Sequence, residues 1–450
     1  MKYQAYTRHN YLKIPKIKKL GKDRIHAIEV VSSVLPFKTN NYVVNELINW
    51  NAFENDPMFI LNFPQKEMLE KKHYDRLSEM IQKGTDKSDL LQFVNKIRLR
   101  LNPHPAGQLE HNVPVLNGQR LTGIQHKYRE TMLFFPSQGQ TCHAYCTFCF
   151  RWPQFTGMSE LKFAMKQTEL MIRYLKQNRE ITDILITGGD PMVMNASILG
   201  KYIDAVISAD LPNIKTIRIG TKALTFWPYR FISDPDSEEI LKLFEKVADQ
   251  GMNLALMAHF NHYQELSTGA VEEAVFRIRG TGAQIRTQSP ILRHINDDAD
   301  VWATMWKQQV DLGMIPYYMF IARNTGAQAY FSVTLEEAWK TFKNAYNQVS
   351  GICRTVRGPS MSSGPGKIQV QGVADVKGEK VFVLNFLQGR IPEWVGNPFF
   401  AEYNPSAIWL SDLKPAFGEN QFFFEKEYNK LLKIDKLPGK KLQEAEKQSA

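Results

Sequence analysis

Cysteine is scarce in this chain: four occur among 450 residues. That is too few to staple a protein of this size, so a disulfide-built scaffold is excluded. Long apolar runs are also missing. None approaches the ~18 residues that a membrane span requires, and the opening MKYQAYTRHNYLKIPKIKKLGK lacks the apolar core of a secretory leader. A cytoplasmic protein with no membrane partner is the expectation. Nor is there a surplus that would mark a disordered, collagenous or coiled-coil chain, since hydrophobic, aromatic and charged residues make up 43%, 12% and 23%. The length allows up to about three domains. A formal net charge of +10 permits anionic ligands without requiring nucleic acid, and the Lys-rich stretches 13–22 and 433–447 read as solvated ends.

What is present is organised. No internal repeat stands out in the first 125 residues. Lys66 to Lys83 and Lys87 to Leu101 carry apolar residues at three- and four-residue spacings, which predicts helices. Asn102-Pro103-His104-Pro105 then breaks the pattern. From about Thr131 to Lys367 short apolar runs alternate with amphipathic stretches, the rhythm of β/α units on a parallel sheet. Six strands are expected, at Thr131–Phe135, Asp183–Thr187, Lys215–Ile219, Asn253–Met257, Gln284–Gln288 and Pro316–Ile321. The helices between them include Leu161–Gln177, Ser237–Gln250, Ala270–Gly280, Asp298–Leu312 and Leu335–Gln348. Six units fit either an open doubly wound sheet or an incomplete barrel, and in both the ligands lie where strands end.

Three of the four cysteines, Cys142, Cys146 and Cys149, fall within eight residues directly after the first of these strands. The spacing C-x3-C-x2-C suits an iron–sulfur cluster in which three protein thiolates leave one iron of four open to a ligand. Zinc is the main competitor, but it wants a fourth ligand nearby. His143 sits inside the loop beside a cysteine, and Cys353 is distant. Three buried thiols with no metal are the remaining alternative. A second motif, Thr187-Gly188-Gly189-Asp190-Pro191, closes the next strand with two glycines that admit a close ligand and a carboxylate.

The cysteine loop, with Phe148 before its last cysteine, resembles the radical S-adenosylmethionine (SAM) superfamily. Several further stretches resemble one branch of it, the lysine 2,3-aminomutase-like family, in order and at similar spacing over Leu121 to Val370. They are His126-Lys127-Tyr128-Arg129, the Gly-Gly-Asp-Pro turn, Arg218-Ile219-Gly220-Thr221, His259-Phe260-Asn261-His262, Gln288-Ser289 and Gly364-Pro365-Gly366-Lys367. The resemblance implies an α/β fold, a partial (β/α)6 barrel of the radical SAM type. Its expected parts are a helical N-terminal region over 1–122, the barrel over 123–370 and a C-terminal extension over 371–450. It implies a [4Fe–4S] cluster on the three cysteines, and SAM held by Phe148, Gly188, Gly189, Asp190, Thr221, His259 and Gln288. It also implies pyridoxal 5′-phosphate (PLP) on Lys367 with Lys127 and Tyr128 beside it, an external one-electron reductant and a homo-oligomer. Thr131 departs from the family, which has an arginine there.

The family arginine that grips the substrate's α-carboxylate corresponds to Arg151. The two aspartates that hold a lysine side chain correspond to Arg323 and Ser360, neither of them acidic. An arginine at that place repels lysine and suits an acidic side chain, as in the glutamate 2,3-aminomutase branch. The expected activity is a PLP-dependent 2,3-aminomutase acting on an amino acid other than lysine, glutamate or another acidic or polar one. Its rivals are a PLP-independent radical SAM enzyme modifying a protein or RNA, and a non-enzymatic iron–sulfur sensor or electron carrier. No cysteine follows Cys353, so no C-terminal zinc is expected, and Cys353 reads as a buried structural thiol.

Overall fold

The structure, a computed structural model, describes residues 1–103, 111–157 and 163–434. In chain order the strands are β1 (Ala5–Thr7), β2 (Lys38–Asn40), β3 (Val115–Leu116), β4 (Gln119–Arg120), β5 (Ile124–Tyr128), β6 (Thr131–Phe134), β7 (Asp183–Ile186) and β8 (Thr216–Thr221), then β9 (Asn253–His259), β10 (Gln284–Ile291), β11 (Ile315–Ile321), β12 (Arg357–Ser362), β13 (Gly366–Val376), β14 (Glu379–Gly389) and β15 (Pro398–Glu402). All six expected strands form, as β6 to β11, and each pairs in parallel with the next. The helices that follow them are Thr168–Gln177, Ala196–Ser208, Ser237–Asp249, Gly269–Gly280, Ala299–Asp311 and Leu335–Asn347. Six β/α units therefore stand in a row, and β12 adds a further parallel strand. Antiparallel strands extend both ends of this sheet, which runs from β5 to β15 in sequence order without closing among the described residues.

Alternation along the strands decides which face carries function. In β8 and β10 every second residue is buried, and Ile217, Ile219 and Ile285 pack in one core with Leu243, Val247 and Ile278 of the helices. The intervening positions, among them Arg218, Gly220, Arg286 and Gln288, face the other way and are half-buried. A closed barrel fills that interior with layers of branched apolar side chains. Here the alternate positions of β8 and β10 carry polar side chains instead, Arg218, Arg286 and Gln288 among them. Helix starts are fixed locally: Asn195, Thr268 and Asp298 each accept a bond from a backbone N–H of the first turn, and Thr334 with Glu337 forms a capping box, each worth about 1 kcal/mol.

The N-terminal region is mainly helical, with Lys22–Val34, Pro57–Asn62, Lys71–Gln82 and Lys87–Leu101. A 3-10 turn at Lys66–Met68 separates from its helix the stretch expected to start it. Lys13 to Lys22 is more than a solvated end, because Ile14, Ile17 and Leu20 between the lysines are buried. This region shares its core with Ala144, Trp152, Phe226 and Trp227 of the β/α part. At the other end, β13 runs through the boundary expected between 370 and 371 and turns back into β14 at Lys377-Gly378, both with positive φ, the backbone of a tight hairpin turn. The start of the helix expected from Leu161, part of the break at His104-Pro105 and most of the tail 433–447 lie outside the described residues.

Candidate active site

The cysteine loop leaves β6 through a 3-10 turn, Ser137–Gly139, and is held from the N-terminal side by its backbone. Lys38 Nζ donates to the Cys142 carbonyl (2.6 Å), Tyr3 Oη to the His143 carbonyl (2.7 Å), and the amides of Tyr145 and Thr147 donate to the carbonyls of Lys38 and Leu61. Cys142, Cys146 and Cys149 are free and half-buried. Burial pushes all three thiols up, Cys149 to about 11; after it, Asp190 and the other two cysteines raise Cys142, and Cys149 raises Cys146. A nearby metal cation would favour the thiolates instead. Among the described residues no three His, Cys, Asp or Glu side chains gather as ligands of one ion, whereas a cubane spreads its thiolates over separate irons. His143 is buried against Tyr3, its Nδ1 without a partner and its pKa pulled down to about 3 by burial.

The glycine turn after β7 abuts this loop. Asp190 N donates to Thr141 O at 2.6 Å and Gly189 N to Gly139 O at 3.0 Å. A side chain at Gly189 would collide with the Thr141 backbone, and one at Gly188, where φ is +156, with the Gln140 amide. Asp190 is inward and already committed. Its carboxylate accepts from Met192 N (2.9 Å), Thr221 Oγ1 (2.8 and 3.0 Å) and Lys222 N (2.8 Å), with burial raising it to about 6. Asp190 and Thr221 thus tie the loops after β7 and β8 together, and neither side chain is free to grip a ligand directly. Phe148 meets His259 edge-on at 5.5 Å, and Gln288 lies beside His259 in the sheet register, so these three share the concave side near the cysteines. His259 is held well below its ordinary range by burial and then by Lys222, whose ammonium pairs with the fully buried Glu265 at 2.7 Å.

Further along the sheet opens a cavity of about 810 Å³, bordered by Lys127, Tyr128, Phe150, Arg151, Arg323 and the Ser362–Pro365 loop. The Phe150 ring lies 5.5 Å from the Arg151 guanidinium and 4.5 Å from that of Arg323. Arg151 Nη1 is buried without a partner. Arg323 Nη2 donates to Ser362 Oγ at 3.1 Å, and no carboxylate pairs with either arginine among the described residues. Burial, then Arg323, pulls Arg151 down to about 9. Ser360 is fully buried with its hydroxyl on Met319 O (3.4 Å), so the serine that reaches the cavity is Ser362, two residues on along the same strand face. Thr131 carries no charge for this cavity: its hydroxyl donates to Asp183, which also pairs with Arg218.

Lys367 opens β13. Its Nζ donates to Gln388 Oε1 at 2.9 Å and sits 3.9 Å from the Tyr318 ring centre. Burial, followed by Arg357, Arg218 and Arg323, holds its amine well below the ordinary lysine range, the condition a nucleophilic lysine needs. Lys127 Nζ donates to the Ser363 carbonyl, and Tyr128 is raised to about 12 by burial.

A putative L-lysine 2,3-aminomutase of Aquifex aeolicus is 30% identical to this chain over 403 residues, which span 90% of this chain and 94% of the relative. The chain belongs to the lysine 2,3-aminomutase-like family of radical SAM enzymes. The L-lysine 2,3-aminomutase of Bacillus subtilis is 28% identical over 68% of this chain and 63% of its own, and the glutamate 2,3-aminomutase of Clostridioides difficile is 23% identical over 57% and 58%. No family model matches. Among solved structures, SuiB of Streptococcus suis aligns with 61% of this chain and 56% of its own at a TM-score of 0.35 and 11% identity, a likeness too partial to bear on function. As a member of the family this is an aminomutase, an isomerase, and membership implies a [4Fe–4S] cluster, SAM and PLP as the cofactors. The unpaired thiols and the cationic cavity fit that set. No helix among the described residues is long and apolar enough to cross a membrane.

Within this aminomutase, sequence reasoning missed Gln388 and Arg390, which reach the site only because β14 pairs with β13, Lys367 opposite Gln388. It also missed the Lys222–Glu265 pair and the wall formed by Phe422, Phe424 and Tyr428. The aromatic run 422–424 was the one signal for that wall.

Proposed function

We propose that this aminomutase uses PLP bound through Lys367 and moves the α-amino group of an amino acid with an acidic side chain, glutamate foremost, to its β-carbon. The observation that carries the substrate assignment is the pair of guanidiniums on Phe150, with no carboxylate partner for either among the described residues. Buried charge without a counter-charge is costly, so the pair calls for an anion from outside. Arg151 takes the α-carboxylate in a two-bond fork, and Arg323, steadied by Ser362, takes the side-chain carboxylate. A lysine ammonium about 4 Å from Arg323 would instead meet roughly 4 kcal/mol of repulsion at an effective dielectric of 20.

When bound, the cluster and SAM supply the hydrogen-abstracting radical, and PLP supplies the conjugated system through which the amino group moves. The chain's own residues provide the geometry. Cys142, Cys146 and Cys149 hold the cluster. Gly188 and Gly189 let backbone approach SAM, Phe148, His259 and Gln288 line its place, and Asp190 with Thr221 keeps the turn in register. Lys367 presents an amine whose proton affinity is lowered by burial and then by the neighbouring guanidiniums, and Lys127 and Tyr128 flank it. The one-electron reductant comes from outside the chain. The test is anaerobic turnover of a panel of α-amino acids, read as β-amino products. Glutamate should exceed lysine by at least about 100-fold in kcat/KM, and turnover of lysine alone would overturn the assignment.

A further inference from the structure

Thr131, where the resemblance implies an arginine, carries no charge, and Arg390 brings a cation to the cavity from a different part of the chain. Arg390 follows the end of β14 and folds back over the Ser363–Pro365 loop. Its amide donates to Pro365 O (3.0 Å), Nε to Gly364 O (2.9 Å) and Nη2 to His111 O (3.4 Å) and to Asn112 Oδ1. Lys127 Nζ approaches the same loop at the adjacent Ser363 carbonyl. Both side chains border the cavity, and the loop between them leads directly into Lys367.

We propose that Arg390, together with Lys127, holds the phosphate of PLP, supplying the charge that Thr131 does not. Three observations support this. First, these two cations bond only to neutral oxygens among the described residues, and neither forms an ion pair there. Second, they crowd each other: after burial, Arg390 is the foremost neighbour that lowers the Lys127 ammonium, ahead of Arg323. A doubly charged phosphate between them relieves that repulsion, and Arg390, its Nε and Nη2 engaged by the loop and by His111 and Asn112, offers Nη1 to it as a charge-assisted donor. Third, Arg151 and Arg323 are grouped about Phe150, at the substrate's carboxylates, so the two cation pairs divide the anionic groups of cofactor and substrate between them.

This rests on the reading that PLP binds at Lys367, and the test separates the two. Binding of PLP and of pyridoxal, which lacks the phosphate, is titrated by absorbance into the reconstituted wild type, Arg390→Gln, Arg390→Lys and Lys367→Ala. The expected result is that Arg390→Gln weakens PLP binding about 10- to 100-fold, as loss of a charge-assisted bond implies, and leaves pyridoxal binding unchanged. Arg390→Lys should fall between. Iron content and circular dichroism equal to wild type establish that the variants fold, and Arg390→Lys carries the test if the glutamine variant does not. Equal weakening of PLP and pyridoxal would make Arg390 a mere staple of the loop and overturn the proposal, as would unaltered PLP binding in Arg390→Gln. A wild type that binds no PLP, or a Lys367→Ala variant that keeps its absorbance, would overturn the Lys367 reading itself and this proposal with it.

Discussion

Phe150 is the ring that the two guanidiniums of the pocket share, Arg323 at 4.5 Å and Arg151, which also lies 4.1 Å from Phe135, at 5.5 Å. The aromatic face lends partial compensation to each cation but satisfies none of the N–H donors, and the orphaned Arg151 Nη1 shows what is missing. Replacing Arg323 with Met should lower kcat/KM for glutamate about 10- to 100-fold while leaving bound PLP absorbance unchanged; loss of both together would mean that the residue supports the cofactor instead. Lys367 makes a second prediction. Because its amine is held well below the ordinary range, the midpoint of its labelling by an amine-directed reagent, read by peptide mass spectrometry, should fall at a lower pH than that of an exposed lysine. A midpoint at the ordinary lysine value would contradict this. At this scale the sequence was legible wherever a motif kept its spacing, as at the cysteines and Lys367. It was not legible where strand pairing brings distant residues together: Gln388 and Arg390 belong to no motif, and only the β13–β14 register places them. Asp190 was legible as a site residue but not in its role, because its bonds to Thr221 and Lys222 span two loops.

The cysteine loop borrows its stability from elements far away in sequence. Its carbonyls and amides are paired with Tyr3, Lys38, Asn40 and Leu61, and the Thr147 hydroxyl donates to the Ile60 carbonyl, so the N-terminal region acts as the loop's second wall. The Lys38 ammonium on Cys142 O is a charge-assisted bond worth about 1.5–3 kcal/mol. Lys38→Met should therefore make local opening of the loop roughly tenfold easier, seen as faster loss of cluster absorbance to an iron chelator, and an unchanged rate would show that the tie is dispensable. The strands of the β/α part were legible because each is a short apolar run between turns. The helix Ala196–Ser208 was not among those expected: Gly200 lies in its middle, a costly residue in isolation. Its neighbour Leu243 packs at 3.9 Å from where a Cβ would stand, so tertiary packing overrides propensity there. Strands β13 and β14 are a local hairpin about Lys377-Gly378 with alternating burial, a signal present in the sequence that the six-unit rhythm, ending at Lys367, does not take in.

Across the whole molecule, one open sheet carries the cysteine loop after β6 and the Ser362–Lys367 segment between β12 and β13, and Phe150 and Arg151, next to Cys149, border the same cavity as Ser362 to Pro365. The rhythm of six units was legible, since it needs only alternating periods of two and 3.6 residues. The way the flanking regions complete the site was not. The N-terminal helices contribute to one core with Trp152 and Phe226, and the C-terminal segment walls the cavity with Phe424 and Tyr428, so boundaries drawn by composition miss that the three regions enclose a single site. The central claim is amino-group migration on an acidic amino acid at Lys367. Its most direct test is anaerobic incubation of the reconstituted enzyme with SAM, PLP, a reductant and glutamate labelled at its amino nitrogen, followed by nitrogen–carbon NMR correlation. The label should appear bonded to the β-carbon with wild type and remain on the α-carbon with Lys367→Ala; a label that never leaves the α-carbon in the wild type, or migration that persists without Lys367, would contradict the account.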